Sequence, residues 1–405
     1  FDRYCIAVQM KINAEGEKLS HSFHRGLMRS AASLSYEQVQ LAYDGKFHDL
    51  PKDMVQNVVE PIYAAYRALL SARNKRQPLA LDLPERQIEL DDSGKVSSVE
   101  IKDRMDSNRL IEEFMVLANV AAAETLIAKK APLLFRVHEE PEKGKLDALR
   151  KTAQASGLPL AKGQVFKTAH INALLNAARD SDHSELINIS TLRAMTQAYY
   201  SPDNSGHFGL ALRSYAHFTS PIRRYADLIV HRALIRAHGW EGYGINAIKL
   251  ESLKEIAEHI SNTERRSMAA ERDTVDRYLA AYLSECKGIK FSGRISGVIK
   301  SGVFVRLDET GAEGLVPVRT IAHEFFQYDK STNTLMGSES RFVLTLGQRV
   351  LVRLAETTAE SGGITFVLLE VEGNLLPPVV VSRRYSRKAK RGKWAKASQN
   401  RKKRD

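Results

Sequence analysis

The chain has 405 residues, enough for two or three domains, and its 43% hydrophobic and 27% charged content marks ordinary globular material. No apolar run approaches the ~18 residues of a membrane helix. Two distant cysteines, Cys5 and Cys286, make neither a disulfide scaffold nor a zinc site, so a reducing cytosol is the expected compartment. The net charge of +12 is uneven: residues 383–405 hold twelve Lys/Arg against one acid, which leaves the rest of the chain near neutral.

The opening FDRYCIAVQMKI alternates like a strand and lacks the basic region and cleavage site of a signal peptide, so the chain reads as beginning inside a domain. With the turn NAEGE it predicts a hairpin over 1–26. A helix is expected around 33–43, and helical period runs through 53–75 with Pro61 as a kink or break. The stretch 79–103 is strand-like, with DDSG as its turn. The clearest helix is 107–130, where Ser107 or Asn108 can cap and apolar residues recur three to four apart. Residues 144–198 read as short helices, 202–212 as a glycine-broken loop, and 249–286 as a long helix closing the first unit. After CKG the pattern changes. Short alternating strands with glycine turns, over 291–318, 341–356 and 364–372, fit a small Greek-key barrel of the OB type. Residues 383–405 have almost no apolar residues with which to bury a core and read as a disordered basic tail. Tyr385 and Trp394 can stack on bases, which favours a nucleic-acid partner for the tail over a merely solubilising role.

The segment HFTSPIRRYADLIVHR, 217–232, carries the sharpest chemical signal. Thr219 or Ser220 reads as a helix N-cap and Pro221 as the first helical residue, which puts Arg223 and Arg224 in the first turn. That end already bears unpaired N–H groups and the positive pole of the helix dipole, so cations there call for an anion. A phosphate held by the helix start and a guanidinium fork would supply it. An Arg223–Asp227 pair is the plain alternative. Ile222, Tyr225, Ala226, Ile229 and Ala233 form the expected buried stripe of this helix. His21, His24, His207, His217 and His231 show no metal-ligand spacing and read as polar packing, and the glycines of GHFG make no phosphate loop.

The stretch GHFGLALRSYAHFTSPIRRYADLIVHR resembles the signature of the ribonuclease II/ribonuclease R family of processive exoribonucleases. RSAASLSYEQV at 29–39, IEEFMVLANVAAA at 111–123 and ERRSMAAERDTVDRYL at 264–279 extend the likeness. VFVRL and GLVPV resemble strands of the S-one type RNA-binding barrel that follows the catalytic domain in that family. The implied architecture is α+β. The C-terminal portion of a mixed α/β RNB catalytic domain spans 1–287, a small all-β OB-fold barrel spans 288–372, and the basic tail spans 373–405. The implied activity is 3′→5′ hydrolysis of single-stranded RNA to nucleoside 5′-monophosphates, with magnesium ions holding the scissile phosphate.

Residue by residue, Arg223 matches the family's phosphate-contacting arginine, with Arg224 and Ser220 beside it. Tyr36 matches a base-stacking tyrosine, against a plain reading as a core aromatic. Glu113 matches a glutamate near the RNA 3′ end, against a solvated helix-face acid next to Glu112. Glu271 matches a glutamate found in part of the family. Phe291, Phe304 and Arg306 are the barrel's candidate RNA contacts. The family's aspartate cluster that binds magnesium is missing from the chain: Asp91–Asp92 and Asp180–Asp182 lack its spacing, so no metal ligand is assigned. By the resemblance that cluster lies upstream, in a longer chain or a separate one. Leu81 stands near a position where some relatives carry a base-clamping phenylalanine. The expected partner is single-stranded RNA, with the tail reaching ribosomal or structured RNA. A cytoplasmic monomer with no membrane contact completes the expectation, and a catalytically inactive RNA-binding chain is the alternative.

Overall fold

The computed structural model describes residues 2–46, 50–81, 86–101, 104–158, 160, 166–181, 183–240, 250–322, 324–330 and 332–376. The basic segment with Tyr385 and Trp394 lies outside these residues. No helix among them is long and apolar enough to cross a membrane. The chain divides into two compact units, 1–87 with 99–272, and 88–98 with 273–405.

The first unit opens with the expected hairpin, β1 (Arg3–Ile12) antiparallel to β2 (Lys18–Met28). Asn13 shapes the turn by accepting the Glu17 N–H at 2.7 Å. Gly16 sits at φ +79° against the Ala68 carbonyl, where any Cβ would collide with backbone. A capping box between Ser35 and Gln38 starts α1 (Tyr36–Tyr43). The irregularity expected at Pro61 comes before it: α2 (Lys52–Met54) passes through one π-helical turn, Val55–Val59, into α3 (Glu60–Arg76). Pro61 falls in the first turn of α3, directly after the π-helical turn, and has no N–H to donate back into that turn. Residues 79–103 give β3 (Arg86–Leu90) and β4 (Val96–Ile101), whose 88–98 portion belongs to the second unit. Asp91 turns them by accepting the Ser93 and Lys95 N–H groups, each at 2.9 Å.

The long central helix α4 (Asp106–Ala128) begins one residue earlier than its expected caps. Met105 takes the cap position without a side-chain bond, because Ser107 is buried and its N–H donates to Gln40 on α1 instead. The apolar face of α4, with Ala118, Ala121, Ala122 and Leu126, packs under Ile6, Val8, Met10 and Phe23 of the hairpin. Phe218, Val230 and Leu234 close the same core. Next in the chain is β5 (Phe135–Val137), followed by α5 (Lys143–Ala155), α6 (Thr168–Ala178) and α7 (Ser184–Ala194). These helices share a separate core built on Leu149, Ile171 and Ile187. Leu81 packs against that core, so it is an aliphatic wedge there. β6 (Tyr199–Ser201) pairs with β5, and α8 (Tyr225–Ala237) and α9 (Leu250–Tyr282) follow.

The second unit contains the barrel. β7 (Lys290–Ile299), β8 (Gly302–Leu307) and β9 (Glu313–Pro317) lead into a side sheet of β10 (Phe326–Asp329), β11 (Thr334–Gly337) and β12 (Val343–Leu344). β13 (Arg349–Thr358) and β14 (Gly363–Val371) return to the main sheet, whose order is β13-β7-β8-β9-β14. Pairing of β13 with β14 closes it, as an OB-type barrel requires. Ile295, Val305, Leu307, Val352 and Phe366 are fully buried inside. Two details depart from expectation. The side sheet has strands at 326–337 that the alternation did not show, and 341–356 is two strands split at Gly347, which sits at φ +81°.

Candidate functional site

The segment 215–224 is not the start of a helix. Pro221–Arg223 form an isolated turn in which the Arg223 and Arg224 N–H groups donate to the Ser220 carbonyl. Arg224 is extended, at φ −126° and ψ 120°, and occupies the N-cap of α8, so neither Ser220 nor Thr219 caps it. The anion demanded by the sequence is partly internal. Asp227, in the first turn of α8 and 0% exposed, accepts Arg224 Nε at 2.7 Å, Arg224 Nη2 at 2.9 Å and the Ser220 N–H at 2.7 Å. A carboxylate at that position is where the helix dipole favours one. The pair is therefore Arg224–Asp227, three residues apart, and not Arg223–Asp227. Arg223 is left exposed, without an ion pair among the described residues. The expected stripe is half right: Ala226 and Ile229 are buried, but Ile222 is 97% exposed and Tyr225 47%.

Three elements pin this loop. Asn119 of α4, buried, accepts the N–H groups of Phe218 (2.8 Å) and Thr219 (3.2 Å) and donates to the Tyr215 hydroxyl at 2.9 Å. His231 of α8 bonds the Phe218 carbonyl through Nε2 at 2.8 Å and stacks on the Phe218 ring. Tyr200 of β6 meets His217 Nδ1 at 2.9 Å. Beneath Tyr200, Arg136 lies 4.8 Å from the ring centre and is forked onto Glu264 of α9 at 2.6 and 3.0 Å. Burial, then the charges of Arg224, Arg136 and others including Arg223, holds the His217 pKa down at about 2. Burial and His138 hold His207 down at about 3. Burial pushes the Tyr200 hydroxyl up to about 12. At neutral pH the loop is thus backed by uncharged imidazoles and a protonated phenol, and the guanidinium groups set its potential.

The glycines of GHFG serve close packing. The Gly209 N–H donates to His138 Nδ1 at 2.8 Å, and a Cβ at Gly209 would stand 3.1 Å from that nitrogen. His138, Asn119, Arg136 and Glu264 all belong to this frame, and the motif reading missed them. Their partners lie tens of residues away in sequence. Asp227 was legible only as a possible partner of Arg223; it becomes a first-turn acid because the helix starts at Tyr225.

Glu113 is not a solvated acid. It is buried on α4, 2.9 Å from Arg73 and 3.7 Å from Arg76 of α3, and burial raises its pKa against the pull of both arginines. The neighbouring Glu112 is the exposed one, bound to Arg104. Tyr36 is not a core aromatic: it is 45% exposed at the first turn of α1. Glu271 stands on an exposed stretch of α9, eight residues beyond Thr263 or about 12 Å along the axis. In the barrel, Phe304 and Arg306 alternate with buried Val303, Val305 and Leu307 and so face outward. Arg306 lies opposite Arg294 on β7 and Glu313 on β9. Phe291 pairs with the buried Val352 and shares the inward row of Ile295, so it stands on the other face of the sheet from Phe304.

No three His, Cys, Asp or Glu side chains among the described residues come together to hold a metal ion. Asp91, for one, is committed to its turn. The described residues therefore do not fit a magnesium centre, and no step is derived through one. Comparison with known proteins gives the family. The RNB domain model matches residues 1–238 and the S1 RNA binding domain model matches 286–366. Ribonuclease R of Escherichia coli is 34% identical over 401 residues, covering 96% of this chain and 49% of that one. Ribonuclease R of Aquifex aeolicus is 33% identical over 373 residues, covering 91% and 52%. The structure of Mycoplasma genitalium RNase R in complex with ribose methylated single-stranded RNA superposes with a TM-score of 0.85 at 27% identity, covering 91% of this chain and 58% of that one. The chain spans about half the length of the curated relatives it matches. With a family model over more than half its residues, an S1 barrel behind it and the arginine-bearing loop in place, the chain belongs to the RNB-domain family of ribonuclease R.

Proposed function

We propose that this chain is part of a 3′→5′ exoribonuclease that binds single-stranded RNA and releases nucleoside 5′-monophosphates, with Arg223 holding the phosphate beside the cleaved bond. The observation that carries the reading is the unequal fate of the two arginines. Asp227 neutralises Arg224 and locks the turn, while Arg223 projects from that turn with its guanidinium uncommitted among the described residues. A rigid, paired neighbour presents an unpaired fork, which suits bidentate recognition of a phosphate. Tyr36, exposed, offers a ring for a base, and Phe304 and Arg306 offer an aromatic and a cation on the outer barrel face. Family kinship and the RNA named in the Mycoplasma genitalium complex support RNA as ligand. Magnesium as the metal, a monomeric state and a reducing cytoplasmic setting complete the proposal, the last resting on Cys5 and Cys286, both free thiols.

The test is binding and hydrolysis of a single-stranded homopolymer, followed by fluorescence anisotropy and by mononucleotide release with magnesium and with EDTA. Single-stranded RNA should bind, and Arg223→Ala should weaken binding about tenfold with the circular dichroism spectrum unchanged. Release is measured on the longer parent that supplies the upstream aspartates, since this chain alone should bind without cleaving; a parent that binds with no metal-dependent release would leave the RNA-binding alternative. Absence of binding would end both.

A further inference from the structure

Beside the arginine turn lies an apolar cleft of about 570 Å³, lined by Tyr225 at the start of α8 and by Glu255, Ile256, His259, Ile260 and Thr263 of α9. The five α9 residues recur three to four apart and therefore share one helix face. Ile256 and Ile260 rest on the buried cluster of Ile229, Leu253 and Ala257, which makes the floor of the cleft rigid and apolar. Tyr225 forms a wall with nearly half its surface exposed. Glu255 and His259 are exposed and carry no ion pair among the described residues. The Thr263 hydroxyl donates to the Ile260 carbonyl at 3.0 Å and keeps its lone pairs for another donor. Arg223 stands two residues before Tyr225 in the chain, at most about 7 Å of backbone away.

The geometry points to a nucleobase subsite: this cleft takes one base of the RNA whose phosphate Arg223 holds, stacked on Tyr225, with its amino edge toward Glu255. The inference rests on the RNA reading above and adds a place for the base. Shape is the first argument: the cleft is more open than enclosed and has room for one flat base laid against its wall. The second is the division of chemistry. Apolar walls and an aromatic face suit the flat base, a carboxylate accepts exocyclic amino protons, and the Arg223 cation two residues before Tyr225 is close enough along the chain to meet the charged linkage. A wholly apolar occupant would leave Glu255 and His259 without purpose, and an anion alone would find no cation inside the lining. Adenine, cytosine and guanine present an amino group to Glu255, and uracil does not.

The decisive experiment is photo-cross-linking of the full chain to a short oligoribonucleotide containing 8-azidoadenosine, with adducts mapped by mass spectrometry. Adducts are expected on the peptides containing Tyr225 or His259. Tyr225→Ala should lower their yield about tenfold, the size of one lost stacking contact. His259→Ala, an exposed substitution, should lower it as well without touching the helix packing. Replacing Glu255 by alanine should erase any preference for adenosine over uridine in competition. If the oligonucleotide binds and Arg223→Ala weakens it, but adducts fall only on the barrel, the subsite is overturned and the RNA reading stands. If nothing binds, both fall. If residues 255–263 become protected from hydrogen exchange as protein concentration rises without RNA, a second copy fills the cleft and the inference is overturned.

Discussion

The two adjacent arginines of the turn show how one residue's role depends on a carboxylate three positions away. Asp227 is fully buried and spends both oxygens on Arg224 and the Ser220 N–H, so its charge is compensated and the turn is fixed. Removing either partner would strand the other in a low-dielectric site. The histidines behind the turn give the loop a pH dependence with a definite sign. His207 and His217 titrate near 6.5 in an unfolded chain but are held at about 3 and about 2 in the fold, in each case first by burial. The unfolded state therefore binds more protons below pH 6.5, and stability is whole above that value and lost as pH falls. Each unit below 6.5 costs up to ~1.4 kcal/mol per histidine. The urea midpoint of the first unit, followed by Trp240 fluorescence, should drop steadily between pH 6 and pH 4.5. His217→Gln should flatten the slope only in part, because burial also lowers the pKa of His138, His231 and His21, which keep their share beside His207. A midpoint that stays level across this range would show that these imidazoles are solvated in solution.

At the scale of elements, α4 is the beam on which the loop hangs. Its Asn119 satisfies two backbone donors and one hydroxyl that no water reaches easily. Asn119→Ala leaves buried N–H groups orphaned at about 1–3 kcal/mol each, so a total loss of ~3 kcal/mol is expected, with faster amide exchange at Phe218 and Thr219. Exchange unchanged at both residues would mean that the turn holds its shape by other contacts. The sequence made α4 itself legible, because its apolar residues repeat with the helical period over six turns. It also showed the hairpin of β1 and β2 and the DDSG turn, where alternation and turn chemistry agree. Three features were hidden for physical reasons. The start of α8 moved from Pro221 to Tyr225 because the buried Asp227 outbid local capping preference. The π-helical turn before Pro61 has no composition signal of its own. Glu113 looks like any surface acid in IEEFM until Arg73 and Arg76, some forty residues upstream, close over it. The roles assigned through Arg223, Tyr36 and Glu271 came from resemblance, and periodicity alone would have placed none of them.

For the whole molecule the governing quantity is the distribution of charge. The near-neutral bulk of the chain contrasts with 383–405, where twelve basic residues meet one acid. Local arginine sites such as Arg223 recognise a phosphate by geometry and are felt at short range. A basic segment acts by releasing counterions from the nucleic acid, with little dependence on base or shape. The two contributions separate by salt. For single strands, log K falls with log salt by ~0.7 per phosphate neutralised, so a segment engaging half of its twelve cations contributes a slope of about −4. Deleting 383–405 should remove that much of the slope while keeping the response to Arg223→Ala and to Tyr225→Ala, because those contacts belong to the α8 turn. Anisotropy titrations of a single-stranded oligoribonucleotide over about a tenfold range of salt measure both at once. A slope identical in the full and shortened chains would assign the basic segment to solubility and return all of the RNA affinity to the folded units.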